Sequence, residues 1–467
     1  MPSALMTLLK EQAESPIQTD PTFPKVSLVV PPSPFTVPRG WLFVLYRPFE
    51  GVSYISTVLK NAGYPVRIID VRKSPDPIGE SLAEAVKDTD ILGIATFEDS
   101  FPFLEELTRR VKEERPDLPI ILGGSLVTSV PEAVMHHTRA NIAVLGEGEL
   151  TILQLMPELS KGNLMDLQHI PGLCYRNREG RLSFTKSRFQ MRNLDSLPVM
   201  NLSLWPGVQK NPTVKEILTS HSRGCYNNCS FCYRTTPRLS LKSPGKLYAE
   251  LSVLKRRHNF EFIYFVDLTF AIDKKRTEEI CEVVKGFNVK WSCMSRVQHL
   301  DAPLLQRMRE AGCEIILYGY ESLDQNVLDR ADKRITPQEI ERTIRLTEEA
   351  GIQAGGLFIV GLPGETRESL KKLISFTRKL RTPIRVKYLS AIPGTEIYRS
   401  GLSKGIIKSE VEHLRFLARE RCQKNDEFLN FTDLPDQELR QAYLSVYRVY
   451  AEGPRTITDP EFPQQLS

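Results

Sequence analysis

The stretch 222-SRGCYNNCSFCYR-234 places three cysteines within eight residues, spaced C-x3-C-x2-C. Thiols this close together read as ligands of a metal centre, with Cys225, Cys229 and Cys232 as the ligand set. Three thiolates on a four-iron cluster leave one iron without a protein ligand. That open site can bind and activate a cofactor, whereas a fully ligated cluster mainly passes electrons. Ser222-Arg223-Gly224 offers a turn just before the first cysteine, and Phe231, directly before the third, is placed to shield one side from water. A second reading adds His221 to make a Cys3His structural zinc set. Against it, His221 falls within the strand pattern that leads into the loop.

Working outward from the loop, six β-rich runs alternate with amphipathic helices: EILTSHS (216–222), EFIYFVD (261–267), KWSCMSR (290–296), EIILYGYE (314–321), GGLFIVG (355–361) and IRVKYLS (384–390). Six β/α steps predict a partial parallel barrel over 213–405, short of the eight units of a full barrel. Such barrels carry their chemistry at the C-terminal ends of the strands, and the cysteines follow the first strand at that end.

Upstream, residues 25–160 alternate in the same way. KVSLVV (25–30), VRIIDV (66–71), DILGIATF (90–97), IILGGS (120–125) and IAVLGEGE (142–149) are apolar runs separated by helical patterns such as EGVSYISTVLKNA (50–62). This predicts a Rossmann-like parallel sheet covered by helices on both faces, with its ligand crevice at the carboxyl ends of the strands. The fold class is therefore α/β. Residues 1–24 read as an arm, 161–212 as a connector containing a hairpin (GLCYRNREGRLSFTK), and 406–467 as a helical C-terminal region with helices near 410–421 and 436–451.

Composition sets the outer limits. The 467 residues are 41% hydrophobic and 25% charged, enough to bury a sizeable core without disulfides. A net charge of +5, with both signs interspersed, gives no footprint for nucleic acid. No run reaches the roughly 18 apolar residues of a membrane helix, and the start lacks a signal-peptide pattern, so a cytoplasmic protein is expected. The other cysteines (Cys174, Cys281, Cys293, Cys313 and Cys422) are scattered and read as small core residues of a reducing compartment.

The cysteine loop and the blocks that follow it resemble the radical S-adenosylmethionine (SAM) superfamily: VDLTF (266–270), SR (295–296), AGCEIILYGYES (311–322), KRITPQEI (333–340), AGIQAGGLFIVGLPGET (350–366) and AIPGTEIY (391–398). LGGSLVTSVPEAV and VLGEGE upstream resemble the cobalamin-binding domain that precedes this barrel in one subclass, which includes class B methyltransferases and the anaerobic magnesium-protoporphyrin cyclase. The resemblance implies a [4Fe-4S] cluster on Cys225, Cys229 and Cys232. In this family the cluster reduces SAM, and the resulting 5′-deoxyadenosyl radical abstracts hydrogen from an unactivated carbon. It further implies that Asp267 meets the SAM amino group, Arg296 its carboxylate and Glu321 its ribose. Gly361 and the backbone at Ile392-Pro393 would border the adenine. Structural alternatives are a turn cap for Asp267, a surface ion pair for Arg296 and a solvated strand end for Glu321.

Many cobalamin domains carry D-x-H-x-x-G, whose histidine binds cobalt. This sequence has YRPFEGVSYIS there, and His136 and His137 do not follow the first strand. Cobalamin is therefore expected to bind without a histidine ligand, its tail passing Gly123-Gly124, with Thr96, Ser125 and Glu147 as hydrogen-bonding candidates. The preferred activity is cobalamin-dependent C-methylation of a small-molecule, lipid, tetrapyrrole or peptide substrate. An external one-electron reductant of the flavodoxin or ferredoxin type would feed the cluster. Oxidative cyclisation without methyl transfer, methylthiolation and a non-catalytic metal module are the rivals. Methylthiolation calls for a second cysteine triplet, which the sequence lacks.

Overall fold

A computed structural model describes residues 19–32, 47–236, 238–380, 384–420 and 427–452. Most of the arm, through residue 18, and Cys422 lie outside the described residues.

The upstream apolar runs form strands β1 (Val26–Val30), β2 (Val66–Asp70), β3 (Ile91–Thr96), β4 (Ile120–Gly124) and β5 (Ile142–Val144). They pair in parallel in the order β2-β1-β3-β4-β5. This doubly wound order reverses direction between β1 and β3, which puts the ligand crevice outside the carboxyl ends of those strands. The hairpin of the segment read as a connector, β6 (Leu173–Arg176) and β7 (Leu182–Phe184), instead extends this sheet, β6 pairing antiparallel to β5. The reason lies in burial: Leu173, Cys174 and Tyr175 are all covered and belong to the core of the first sheet.

The second sheet holds β8 (Glu216–Thr219), β11 (Phe262–Phe265), β12 (Lys290–Ser295), β13 (Cys313–Glu321), β14 (Gln353–Val360) and β15 (Ile384–Tyr388), all parallel and in sequential order. Its end strands β8 and β15 do not pair, so the barrel is partial and open. A two-residue antiparallel ribbon, β9 (Ser222–Arg223) with β10 (Ser240–Leu241), brackets the cysteine loop. The intervening helices start where the sequence offers caps. Asp273 and Asp301 each accept a first-turn N–H, and Thr336 with Glu339 makes a capping box.

The C-terminal region covers exposed edges. The helix Asp436–Glu452 lies on the edge strand β15 and on the helix Arg367–Thr377. Tyr388 of β15 is sandwiched there between Phe428 and Tyr443, with ring centroids 4.2 and 4.3 Å away. The helix Glu410–Glu420 rests on the helix Phe101–Glu114 of the first domain, where Arg415 pairs with Glu105 at 2.8 Å. Among the described residues, no helix is long and apolar enough to cross a membrane.

One turn of the barrel carries a pH signature. Glu365 is buried after β14 and accepts the Gly361 N–H at 2.7 Å. Burial pushes its carboxyl up from 4.5 to about 8, the Gly361 bond opposing this. The folded protein thus keeps a proton that the unfolded chain releases. This contribution to stability is complete below pH 4.5 and is lost as the pH rises through about 8. Glu365→Gln removes that loss. The variant should be more stable than wild type at pH 9 by on the order of 2 kcal/mol, with the gap closing at pH 5. Urea midpoints at the two pH values measure it; a gap independent of pH would contradict the assignment.

Candidate cofactor site at the barrel mouth

The cysteine loop is pinned on several sides. Gly224 turns the chain with φ +87°, and a side chain there would strike the Arg238 carbonyl at 2.0 Å, so glycine is required. The Cys232 N–H donates to the Cys229 carbonyl (3.0 Å), Ser230 N–H to Ala331 O (3.0 Å) and Ile397 N–H to Ser230 O (3.1 Å). Arg234 donates to Cys225 O and to Asn228 Oδ1, both at 2.8 Å. These contacts tie the loop to the segment after β13 and to the helix Glu396–Ser403. Cys225 is buried, Cys229 half-buried and Cys232 open to the mouth. Burial, then the neighbouring Cys229, push the Cys232 thiol up to about 11. Binding metal through Cys232 must therefore displace its proton.

His221 is not available as a fourth ligand. It is fully buried, its Nε2 lies 3.1 Å from the Phe270 carbonyl, and its ring packs edge-on against Phe270 at 4.9 Å. Burial lowers its pKa, which keeps it neutral despite the nearby Asp267. Among the described residues, no three His, Cys, Asp or Glu side chains are gathered tightly enough to hold one ion.

Asp267 departs from the expectation that it meets a ligand's amino group. It is 1% exposed and turned onto the chain. Its Oδ1 accepts Ser222 N–H (2.7 Å), His221 N–H (3.1 Å) and the Ser222 hydroxyl, and its Oδ2 lies 3.3 Å from the His221 nitrogen. The carboxylate fixes the entry to the cysteine loop.

Other candidates line the mouth. Arg296 is buried; its Nη1 is 3.4 Å from Cys229 Sγ, its Nε donates to Gln298 (2.7 Å), and its Nη2 bonds the Lys333 carbonyl. Glu321 ends β13 with φ +62°, a left-handed conformation that costs a non-glycine residue energy. It pairs with Lys333 at 2.9 Å, and a side chain at Gly319 would collide with both groups. Lys333 sits 5.8 Å above the Phe231 ring. Sequence reasoning missed Lys333, although it opens the quoted KRITPQEI block. Gly361 has φ +96°, and Pro393 is buried in the loop that follows β15.

At the crevice of the first sheet, space above the glycines is the main observation. A side chain at Gly123 or Gly146 would meet nothing within 4 Å, so the space directly above these positions is open. Gly124 is instead forced by packing, its missing side chain replaced by Thr96 O at 2.3 Å. Ser125 Oγ reaches Thr96 O only at 3.5 Å and stays half-exposed. Two of the expected ligand contacts already have partners within the fold. Thr96 is fully buried, and its hydroxyl accepts the Val127 N–H at 3.2 Å. Glu147 accepts the Met191 N–H at 2.5 Å and pairs with Arg223 at 3.2 Å. His136 and His137 are exposed at the end of the helix Pro131–His137, with His137 edge-on to Phe101.

The model of the radical SAM superfamily matches residues 219–377, and that of the B12 binding domain matches residues 50–156. The chain belongs to the cobalamin-binding radical SAM family. An uncharacterized methyltransferase of Pyrococcus horikoshii is 29% identical over 433 residues, covering 91% of this chain and 92% of the relative. The anaerobic magnesium-protoporphyrin IX monomethyl ester cyclase of Rubrivivax gelatinosus is 28% identical over 341 residues, covering 70% of this chain and 61% of the cyclase. The fold is that of the radical SAM methyltransferase TsrM of Kitasatospora setae, solved with cobalamin and a [4Fe-4S] cluster bound. The TM-score is 0.69, with 16% identity and 91% of each chain covered. As a member of this family, the radical SAM protein takes SAM, a [4Fe-4S] cluster and cobalamin as cofactors.

Proposed function

We propose that this radical SAM enzyme methylates an unactivated carbon, with cobalamin as the methyl carrier. The observation that carries the reading is the contact between the two halves. Gly394 lies between Tyr233, the residue after Cys232, and Ser129 of the helix that leaves Gly124: a side chain at Gly394 would sit 2.9 Å from the Tyr233 ring and 3.4 Å from Ser129. The residue after the last cysteine and the helix after the Gly123-Gly124 turn thus approach each other through Gly394, which supports a reading in which the two parts act on one substrate.

When bound, the cluster supplies the electron that splits the SAM sulfonium, and cobalamin supplies the methyl group. In this reading, Cys225, Cys229 and Cys232 hold the cluster, and Phe231 keeps water from one side of it. Arg296, already directed at the Cys229 sulfur, orients the SAM carboxylate, a charge-assisted contact. Glu321, held by Lys333, takes the ribose hydroxyls, and the Gly361 and Pro393 backbone borders the adenine. Gly123, Gly124 and Ser125 line the path of the cobalamin tail. A flavodoxin- or ferredoxin-type protein delivers the electron. The substrate is a small molecule, lipid, tetrapyrrole or peptide that fits the gap between the domains.

Product analysis tests this. Anaerobic protein reconstituted with iron, sulfide and hydroxocobalamin, given SAM, reductant and extracts of candidate substrates, should form S-adenosylhomocysteine and 5′-deoxyadenosine together. One substrate species should gain a CH2. The resemblance to the cyclase favours one alternative, oxidative ring closure. That outcome would show as 5′-deoxyadenosine without S-adenosylhomocysteine and a substrate that loses hydrogen or gains oxygen, and it would displace the methylation reading.

A further inference from the structure

Arg223 stands two residues before Cys225, yet its side chain reaches into the first domain. Its Nη2 is 2.7 Å from Glu149 Oε1 and its Nη1 is 3.2 Å from Glu147 Oε1. All three side chains are at most 16% exposed, and the guanidinium lies 5.1 Å from the Tyr54 ring of the helix Glu50–Asn61. Burial disfavours a charge here, but Glu149 and Glu50 outweigh it and keep Arg223 ionised. A planar fork on two carboxylates fixes orientation as well as distance.

Both ends of this clamp are stiff and lead somewhere. On the barrel side, Ser222 is bonded to Asp267, Arg223 and Ser222 pair with Ser240 and Leu241, and Gly224 packs so closely on the Arg238 carbonyl that a side chain there would lie 2.0 Å from it. A shift of the Arg223 backbone therefore passes to Cys225. On the crevice side, Glu147 lies in the loop that leaves β5 through Gly146, whose outer side is open, and Glu149 starts the helix Glu149–Ser160 directly after Gly148. A ligand resting on that loop presses on the two carboxylates that hold Arg223. The same interface has a second tie one step upstream, where Glu50 accepts the Ser220 N–H at 3.1 Å and its hydroxyl at 2.9 Å.

We propose that Arg223 is a positioning residue that couples the cobalamin domain to the cluster loop, so that cobalamin binding and cluster loading strengthen each other. The contiguous contacts give the coupling a physical path; a binding measurement decides whether free energy travels along it. Full-length protein is titrated with hydroxocobalamin under anaerobic conditions, with and without a reconstituted cluster, and the two Kd values are compared. Wild type should bind cobalamin about fivefold or more tightly when the cluster is present, a coupling of ordinary size. The ratio should fall close to one in Arg223→Gln and in Glu149→Gln. Arg223→Lys, which keeps the charge but not the fork, should retain part of it. Glu149→Gln acts from the far side of the clamp and leaves the cysteine loop's own sequence intact, so it serves if Arg223→Gln does not fold. A ratio of one in wild type, or a Glu149→Gln protein that keeps the full ratio, overturns the proposal. So would variants that lose stability and cobalamin affinity equally in both forms, since that would make the clamp merely structural. If wild type bound no cobalamin in either form, the cofactor assignment would fall, and this inference with it.

Discussion

Cys229→Ser protein, reconstituted anaerobically with iron and sulfide, will hold far less than one cluster per chain. It will cleave SAM at least about a thousandfold more slowly than wild type, a loss typical of removing one member of a catalytic unit. A serine hydroxyl at neutral pH is a poor substitute for a thiolate on iron. The geometry leaves no replacement at hand: His221 is buried and bonded to the Phe270 carbonyl, and Asp267 is occupied by the backbone it pins. Arg296 Nη1, 3.4 Å from the Cys229 sulfur, would instead face a neutral hydroxyl and lose its anionic partner. Cys174→Ala is the control. Cys174 is buried in β6, between the first sheet and its helices, so its loss should cost about 1 kcal/mol of stability and leave iron content unchanged. Iron and sulfide analysis, with chromatography of SAM products, reads both variants. A Cys229→Ser enzyme with four irons and near-normal cleavage would mean that another side chain ligates the cluster.

The order of the strands was legible because each barrel strand is a short apolar run closed by helix caps or glycine turns. The chain must bury both faces of a parallel sheet, which leaves few alternatives. GGLFIVG and IILGGS could be placed for that reason, and the cysteine loop followed from them. The partners of single polar side chains were not legible. Asp267, Glu147 and Thr96 sit at strand ends, where ligand contacts are expected, but each is matched to a backbone donor supplied by a distant loop. Spacing along the sequence does not reveal which distant N–H needs an acceptor. Such buried donors are costly to leave unpaired, so they claim the nearest carboxylate or hydroxyl. Gly123 and Gly146 were better guides, because a missing side chain with nothing in its place is a property of the residue itself. The hairpin at 173–184 was read as a connector because it is antiparallel and turn-rich, while the burial of Leu173 and Tyr175 that binds it to the first sheet is visible only in three dimensions.

The domain boundary gains meaning from the same comparison. Sequence reading treated the barrel and the crevice domain as separate units joined by a linker. The structure instead joins them through buried charge: Arg223 on Glu147 and Glu149, and Lys242 on Glu50 and Glu250 at 3.5 and 2.9 Å. Trp205 of the linking segment donates its indole N–H to Ser53 at 3.0 Å, which packs that segment onto the first domain. Desolvated ion pairs contribute little net stability compared with apolar packing, but removing one partner is costly because the other is left buried and unpaired. Their consequence here is a fixed relative placement of two cofactor sites, which radical chemistry needs, since a misplacement of about 1 Å can cost on the order of a hundredfold in rate.

The largest stability effect is expected at Asp267. Asp267→Ala strips the acceptor from the His221 and Ser222 N–H groups and from the Ser222 hydroxyl, all in a region 2% exposed or less. Each buried donor left unpaired costs about 1–3 kcal/mol, so three of them should cost roughly 3–9 kcal/mol. That is a large share of the stability of an ordinary domain. Because the lost bonds hold the strand-to-loop entry, the chain from Ser222 to Cys225 should loosen first. Iron incorporation should fall even in protein that remains folded by circular dichroism. Asp267→Asn keeps one oxygen but aims an amide N–H at a backbone donor, so a smaller loss, about 1–2 kcal/mol, is expected. Urea unfolding of the metal-free protein separates this pinning role from direct contact with the SAM amino group. A carboxylate that only met SAM would leave the metal-free midpoint and the iron content unchanged, and would weaken SAM binding alone. With its oxygens occupied by His221 and Ser222, Asp267 should do the reverse: the unfolding midpoint moves first, cluster content follows, and SAM affinity changes only in proportion to the cluster that is lost.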